Sequence, residues 1–475
     1  MVPALAIAAQ AIAGVCLAVY AVGYAFLLTR AALDARRAQR RAHHRTWGAR
    51  ELAASESQPV VTVIVPAHDE ADAIIPALRS LLRQQWHHLE VIVVPNGCTD
   101  ATMAQLADAY DLRATGELLD RPRGARGRII GTWRSAVDPR LRVLETTGGG
   151  KADAANCALE RATGELTLLV DADSILAPLA IARAALPFIE RGESVVAVSA
   201  TIRVLNGARQ RPDGSIESTM PASRLARLQM IEYARAFQIG RAGWSSIGAL
   251  PVVSGAFGMF RTSVLRAVGG LDVDTVGEDL ELIMRLHAQV RRAGRRGDVV
   301  FLPEPLCWTE VPEDIDILRA QRVRWHRGLV ETARRHRRML LNDRHGAVGL
   351  VSFPFLGIFE LLAPLVELLG IAALAVAASA GLVAWTLVLT LGLFSVCFGM
   401  ALSMSAVMLE QIWERGFVST PRDVLLLLRT ALVEQLGHRQ RTAVWRLRGL
   451  IGGLRGGRAT WGEMRHRGAR EIAAR

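Results

Sequence analysis

The chain has 475 residues, which allows two to four domains, each large enough to bury a core. With 51% hydrophobic residues, 21% charged residues and a mean hydropathy of +0.23, it is too apolar for an ordinary soluble protein and reads as a polar unit joined to membrane segments. A formal charge of +12 calls for anionic partners such as lipid headgroups or nucleotide phosphates, and five scattered cysteines without CxxC spacing read as reduced, structural thiols.

Residues 1–29 carry no charged side chain, and a bilayer crossing needs about 20 apolar residues. No basic stretch precedes them and no clear cleavage site follows, so 1–30 is expected to be a retained transmembrane helix. Seven arginines between Arg30 and Arg50 then place a basic linker, 31–58, on the cytoplasmic side.

From 59 to 345 short β-rich runs alternate with helical stretches. The runs at 60–66, 89–95, 165–173 and 194–200 are near-continuously apolar, as buried parallel strands are. Between them, 71–84 and 101–110 have helical spacing, with Thr99 or Asp100 as a cap for the second. This alternation predicts an α/β fold with a mostly parallel sheet, whose ligands sit at the carboxyl ends of the strands. "PAHDE", "PNGCTD" and "DAD" each fall at such an end. The segment 111–143 is rich in Gly, Pro and Arg and is expected to be a mobile loop.

"GGGKADAANCAL" (148–159) holds the only lysine; the other 56 of the 57 cationic Lys and Arg residues are arginine. The Gly and Ser/Thr positions of a P-loop are filled here by Glu145 and Ala152, so the motif is not one. A flexible triglycine turn that brings a compact ammonium to a phosphate at a helix start fits better than an idle surface lysine. Asp171 and Asp173 end an apolar strand, and such hard oxygens suit Mg²⁺ or Mn²⁺. Glu278 and Asp279 open an amphipathic helix, either as catalytic carboxylates or as charges that complement its dipole. In "QRVRWHRGL", Gln321, Arg322, Arg324 and Trp325 combine diphosphate-binding guanidinium groups with an indole that can stack on a sugar; a basic helix lying on anionic lipid is the alternative.

A second apolar block spans 346–410, with no charge from 368 to 409, room for two more crossings and a turn at 379–381. Glu360 and Glu367 lie seven apart on one helical face, either lining an exit path or pairing with arginine at the interface. Thirteen arginines between 411 and 475 keep the C-terminal tail cytoplasmic, with an interfacial helix near 424–436. The expectation is thus about three spans in the plasma membrane, with the catalytic unit cytoplasmic.

Taken in order, "VPAHDE", "GGGKADAANCAL", "DAD", "VSGAFGMFR", "GED" and "QRVRW" resemble membrane-embedded family 2 glycosyltransferases, the group of hyaluronan, chitin, cellulose and poly-N-acetylglucosamine synthases, from about Val60 to Arg338. The resemblance implies a GT-A domain that binds a UDP-sugar, UDP-N-acetylglucosamine first among the candidates, with Mg²⁺ or Mn²⁺. It implies Asp173 and Asp171 at the metal, and Ala67, Glu70, Asn96, Lys151, Asp171 and Arg324 on the donor. Asp279, beside Glu278, would be the general base, and Gln321, Arg322, Trp325, Ser254 and Gly255 would meet the acceptor. Pro95 and Asn96 stand where the family often has an Asp pair that reads the base, which loosens the expectation of uridine. Processive, inverting synthesis of a polysaccharide is the leading expectation. The alternatives are single transfer to a lipid acceptor and a catalytically silent assembly scaffold. Expected partners are the donor, a growing glycan or lipid-linked acceptor, membrane lipids, and a second copy or a secretion partner; few aromatics accompany the arginine-rich tails, which argues against nucleic acid.

Overall fold

The computed structural model describes residues 2–117, 126–292, 294, 297–413 and 418–456. In chain order the strands are β1 (Val61–Ala67), β2 (Leu89–Pro95), β3 (Leu112–Ala114), β4 (Ile129–Ser135), β5 (Leu141–Thr146), β6 (Leu166–Val170), β7 (Ile175–Leu176), β8 (Val195–Val204), β9 (Arg209–Gln210), β10 (Ile216–Glu217), β11 (Phe257–Arg261) and β12 (Asp298–Thr309). Ten of them form one sheet in the order β3-β4-β5-β2-β1-β6-β11-β8-β12-β7, while β9 and β10 make a small separate ribbon. β5, β2, β1 and β6 are mutually parallel, and β12 is parallel to β8. β11 runs antiparallel between β6 and β8, so those two still point the same way.

The central strands are Val-, Ile- and Leu-rich and buried on both faces, the pattern of a sheet covered by helices on each side. The register Val61↔Leu89 and Val61↔Leu166 brings the ends of β1, β2 and β6 to one edge. Helix Thr102–Tyr110 has Ala101 at its N-cap, so neither Thr99 nor Asp100 holds the expected position; Asp100, one residue earlier, accepts from the Thr102 N–H at 2.9 Å.

Part of the expected loop at 111–143 is sheet. β3, β4 and β5 form an antiparallel meander laid onto β2. The outer strands lack the apolar run of a central strand because they lie toward the edge of the sheet, where Ile130 is exposed. Residues 118–125, part of that expectation, lie outside the described residues, as does 457–475, the end of the expected basic tail.

The basic stretch expected to be a linker is helical as well. One helix runs from Val2 to Ala54, and its alanines Ala31, Ala35, Ala49 and Ala53 are buried. Arg, Ala and Leu are strong helix formers, and no glycine or proline stands between Gly23 and Gly48, so charge ends the apolar span without ending the helix. Among the described residues, two helical stretches are long and apolar enough to cross a membrane, Ala11–Arg40 and Trp385–Gln411. A third results if Val348–Leu361 and Ala363–Ser379, bent by 42° at their junction, count as one span. The expected turn is present: the Leu382 N–H bonds back to the Ala377 carbonyl at 2.9 Å while Gly381 takes φ +69°. A helix forms at Pro421–Val433, over most of the stretch expected to be interfacial, started by a reciprocal cap between Thr420 and Asp423.

Ion pairs join the sheet domain to these helices. Arg203, on β8, binds Glu410 at 2.7 Å with both side chains almost fully buried, 3% and 4% exposed. Arg235 grips the Glu434 carboxylate with both terminal nitrogens and also donates to Ser403 at 2.6 Å. Glu360 accepts from Arg446 at 2.9 Å and Glu367 from Arg439 at 3.5 Å, so both carboxylates pair with arginines of helix Arg439–Arg455.

Removing one partner of a buried pair strands the other charge, typically at about 3–5 kcal/mol, whereas replacing both by apolar groups is often near neutral. Glu410→Ala should therefore lower the melting temperature of the detergent-solubilised protein clearly, and the double variant Arg203→Met/Glu410→Leu should recover most of the loss. Separately, burial holds the His287 imidazole down at about 4, against its hydrogen bond to the Leu250 carbonyl at 2.9 Å. Between about pH 6.5 and 4 the unfolded chain takes up this proton and the folded chain does not, so stability falls as pH falls through that window. Denaturation curves of His287→Gln should show a shallower acid slope than those of the unaltered protein.

Candidate active site

β1, β2 and β6 end side by side, and the chain leaving each carries polar residues. After β6, a turn closed by the Ser174 N–H on the Asp171 carbonyl at 3.1 Å presents Asp171 and Asp173. Asp173 is buried, and its Oδ2 accepts from the Thr309 hydroxyl at 3.1 Å, at the end of β12. Asp171 is more open and pairs with the Lys151 ammonium.

Lys151 opens helix Lys151–Leu159 directly after the triglycine turn, where Gly148 and Gly150 take φ +101° and +94°. Such angles suit glycine and strain other residues. Asp153, within the first turn of the helix, anchors this loop by accepting from the Arg126 and Gly127 N–H groups at 2.7 and 2.9 Å. A side chain on Gly149 would collide with that carboxylate. Lys151 Nζ also lies 3.9 Å from Glu278 Oε1.

Glu278 and Asp279 begin helix Glu278–Arg292. Asp279 accepts from the Gly255 N–H at 3.3 Å and from the Leu280 N–H at 2.7 Å. A Cβ on Gly255 would stand 2.9 Å from Lys151 Nζ and 3.9 Å from Asp279 Oδ2, so a side chain there would press on the ammonium. Pro66, Lys151, Ser254, Gly255, Glu278 and Asp279 line one cavity at the sheet edge.

The electrostatics follow from crowding charges in a poorly solvated place. Burial raises the Glu278 carboxyl to about 7; Lys151 opposes the rise, and the Asp279 and Asp171 charges add to it. Burial by itself would lower the Lys151 ammonium, but Asp171, Glu278 and Asp279 outweigh it and hold the group above its ordinary value. Arg324, on helix Ile315–Arg335, is lowered by burial against the pull of Glu278, Asp171 and Asp279, which places its charge in the field of the same cluster.

The other expected residues are more spread out. Asn96 is buried at the end of β2, donating its N–H to the Ala67 carbonyl at 2.8 Å and accepting from the Thr146 hydroxyl at 3.0 Å. The Glu70 N–H donates to the Thr102 hydroxyl at 2.8 Å. Arg322 does not face the cavity: it binds Glu232 through two bonds of 2.7 and 2.9 Å and stacks 4.5 Å from the Trp325 ring. Trp325 is 42% exposed, and Gln321, on the same helix, is buried. Two contributors escaped the sequence reading. Thr309 ends a strand that contains two prolines, and Arg241, lowered to about 10 by burial against the pull of Asp279 and Tyr233, stands in the stretch "QIGRAGW". Neither lies in a motif.

Asp171 and Asp173 offer hard carboxylate oxygens, the Asp173 group oriented by Thr309, and this donor set fits Mg²⁺ or Mn²⁺ with further oxygens from a bound diphosphate.

The chain is similar to several known proteins. It is 26% identical over 282 residues to a poly-β-1,6-N-acetyl-D-glucosamine synthase of Staphylococcus epidermidis, covering 58% of this chain and 57% of that one. It is 25% identical over 297 residues to the enzyme of that name from Staphylococcus aureus, covering 62% and 58%. The match thus spans a little over half the length of these relatives. Among solved structures, a mannosyltransferase from Pyrobaculum calidifontis in complex with GDP-Man and Mn²⁺ superposes with a TM-score of 0.52 at 20% identity, covering 92% of this chain and all of that one, which shows a shared GT-A fold. Residues 58–328 match the model described as glycosyltransferase like family 2, so the chain belongs to that family and is a glycosyltransferase.

Proposed function

We propose that this protein is a processive, inverting β-glycosyltransferase that polymerises a sugar from a UDP-sugar, with UDP-N-acetylglucosamine as the donor, into a cell-envelope or extracellular polysaccharide. The observation that carries the reading is the cavity where Lys151, Glu278 and Asp279 converge on Gly255, next to Asp171 and Asp173. The names of the staphylococcal relatives support the donor and the polymer.

The transfer is a single displacement. The acceptor hydroxyl enters beside Ser254 and Gly255, and Asp279 takes its proton as the oxygen attacks the anomeric carbon. The bond from that carbon to the diphosphate oxygen breaks on the opposite face, so the configuration inverts and UDP leaves. The Gly255 N–H holds one Asp279 oxygen and the Leu280 N–H the other, which fixes the base in place. Lys151 and Arg324 supply positive charge to the departing diphosphate. Asp171 and Asp173 hold the divalent ion, which supplies further charge neutralisation there when bound. Ala67, Glu70 and Asn96 take the nucleoside end of the donor. Trp325, braced by Arg322, offers an indole face to an acceptor sugar, with Gln321 one turn earlier on the same helix. The arginine-rich flanks support a cytoplasmic face for this site, at the plasma membrane.

Purified full-length protein in nanodiscs, given labelled UDP- and GDP-sugars with Mg²⁺ or Mn²⁺, should make a high-molecular-weight, metal-dependent product from UDP-N-acetylglucosamine. A single small glycolipid would support single transfer instead, and no turnover of any donor would favour a silent scaffold. Asp279→Asn should lose about 10²–10⁴-fold in kcat, the usual worth of a general base. Lys151→Arg should also lose about a hundredfold or more, because a wide, planar guanidinium does not reproduce the compact ammonium that sits between Asp171 and Glu278. If Lys151→Arg turns over like the unaltered protein, a specific need for the ammonium is ruled out.

A further inference from the structure

Beside the nucleoside end of the cleft lies a second group of potential ligands that the transfer chemistry does not use. His68, Asp69 and Cys98 each bring a donor atom to within 4.8 Å of the others. His68 and Asp69 follow β1, and Cys98 follows β2, so the parallel pairing of these strands brings the three together.

Each is already partly fixed. His68 Nδ1 is 2.8 Å from the Asn96 carbonyl, which can only accept, so Nδ1 carries a proton and Nε2 is the nitrogen a metal would use. Nε2 lies 3.9 Å from Asp69 Oδ2. A histidine that donates one ring N–H to a backbone carbonyl and offers the other nitrogen is the usual arrangement around a bound metal. Asp69 takes φ +55°, a strained angle for a residue with a side chain, and its carboxylate is oriented by the Thr99 and Asp100 N–H groups at 2.6 and 3.1 Å and by the Thr99 hydroxyl at 3.1 Å. Oδ1 accepts two of these bonds and Oδ2 one, so Oδ2 keeps a lone pair. Cys98 is half-buried, with its sulfur 3.5 Å from the Ala67 carbonyl.

One nitrogen, one oxygen and one sulfur donor are a poor set for Mg²⁺ or Mn²⁺ and a good one for a thiophilic dication. A tetrahedral shell with bonds of about 2.0–2.3 Å has ligands roughly 3.3–3.8 Å apart, so closing this group needs an inward shift of about an ångström, within the swing of the exposed His68 ring. We propose that His68, Asp69 and Cys98 form a site for one zinc-class divalent ion, separate from the Asp171–Asp173 pair, with a fourth position open to water or a ligand. Gly97, between Asn96 and Cys98, packs against the triglycine turn: a Cβ on it would meet Gly148 Cα at 3.1 Å. An ion bound to Cys98 would therefore stiffen the loop that touches the turn carrying Lys151.

The test does not depend on sugar transfer. Full-length protein in detergent, washed with chelator, is titrated with Co²⁺ and followed by absorption. One equivalent should give the near-ultraviolet charge-transfer band of a thiolate bound to cobalt, and Zn²⁺ should abolish it. Cys98→Ser should remove the band, and His68→Ala should weaken Co²⁺ binding by about tenfold or more. Cys397→Ser and Asp173→Asn should both keep the band. Each variant is first checked by its melting curve, and only variants that melt like the unaltered protein are compared. The proposal is overturned if no thiolate band forms, if the band survives Cys98→Ser, or if it depends on Asp173.

Discussion

Everything at this site depends on one constraint: several carboxylates must stay close together in a poorly solvated cavity. Asp171, Glu278 and Asp279 repel one another there, and burial penalises each charge. The Lys151 ammonium compensates them, pairing with Asp171 and lying 3.9 Å from Glu278. A compact cation suits a place where one ammonium has to serve both Asp171 and Glu278. That requirement explains both the triglycine turn that delivers the ammonium and the single lysine in a chain whose every other strong cation is arginine. A cation balanced by carboxylates is also one that can be released to a phosphate when a donor enters.

The same electrostatic logic, applied at a larger scale, ties the sheet domain to the apolar helices. Arg203–Glu410 and Arg235–Glu434 cross from the sheet domain to the C-terminal half, and both pairs are substantially buried. Arg446 and Arg439 then meet Glu360 and Glu367. Apolar packing alone would let these layers slide, whereas buried charge pairs have one geometry in which both partners are satisfied. The helix Val2–Ala54 adds a rigid connection, since it runs from the apolar segment into the domain without a break. The position of the cleft relative to the apolar helices is thereby fixed by a few specific contacts.

The sequence was a good guide wherever local chemistry and position coincide. The central strands are legible because strands buried on both faces must be apolar throughout, and Asp171, Asp173 and Lys151 are legible because each follows such a strand or a glycine turn. The edge strands β3 and β4 were misread because a strand exposed on one side carries no apolar run. The helical continuation from Ala31 to Ala54 was misread because basic residues mark the end of a span and say little about the end of a helix. Arg322 was expected near the acceptor through its motif, yet its guanidinium is held by Glu232, 90 residues earlier in the chain. Thr309 and Arg241 had no local signal at all.

By itself, then, the sequence determined the fold class, the membrane-associated plan and the carboxylates and lysine of the cleft, since these follow from hydrophobic periodicity and from residue types that only certain chemistry requires. Only the tertiary structure decided which charges neutralise which, that the Gly255 N–H holds Asp279 beside Lys151, and that His68, Asp69 and Cys98 meet. Those facts depend on strand order and register, which bring together residues far apart in the chain. Pairing of that kind leaves no trace in local composition.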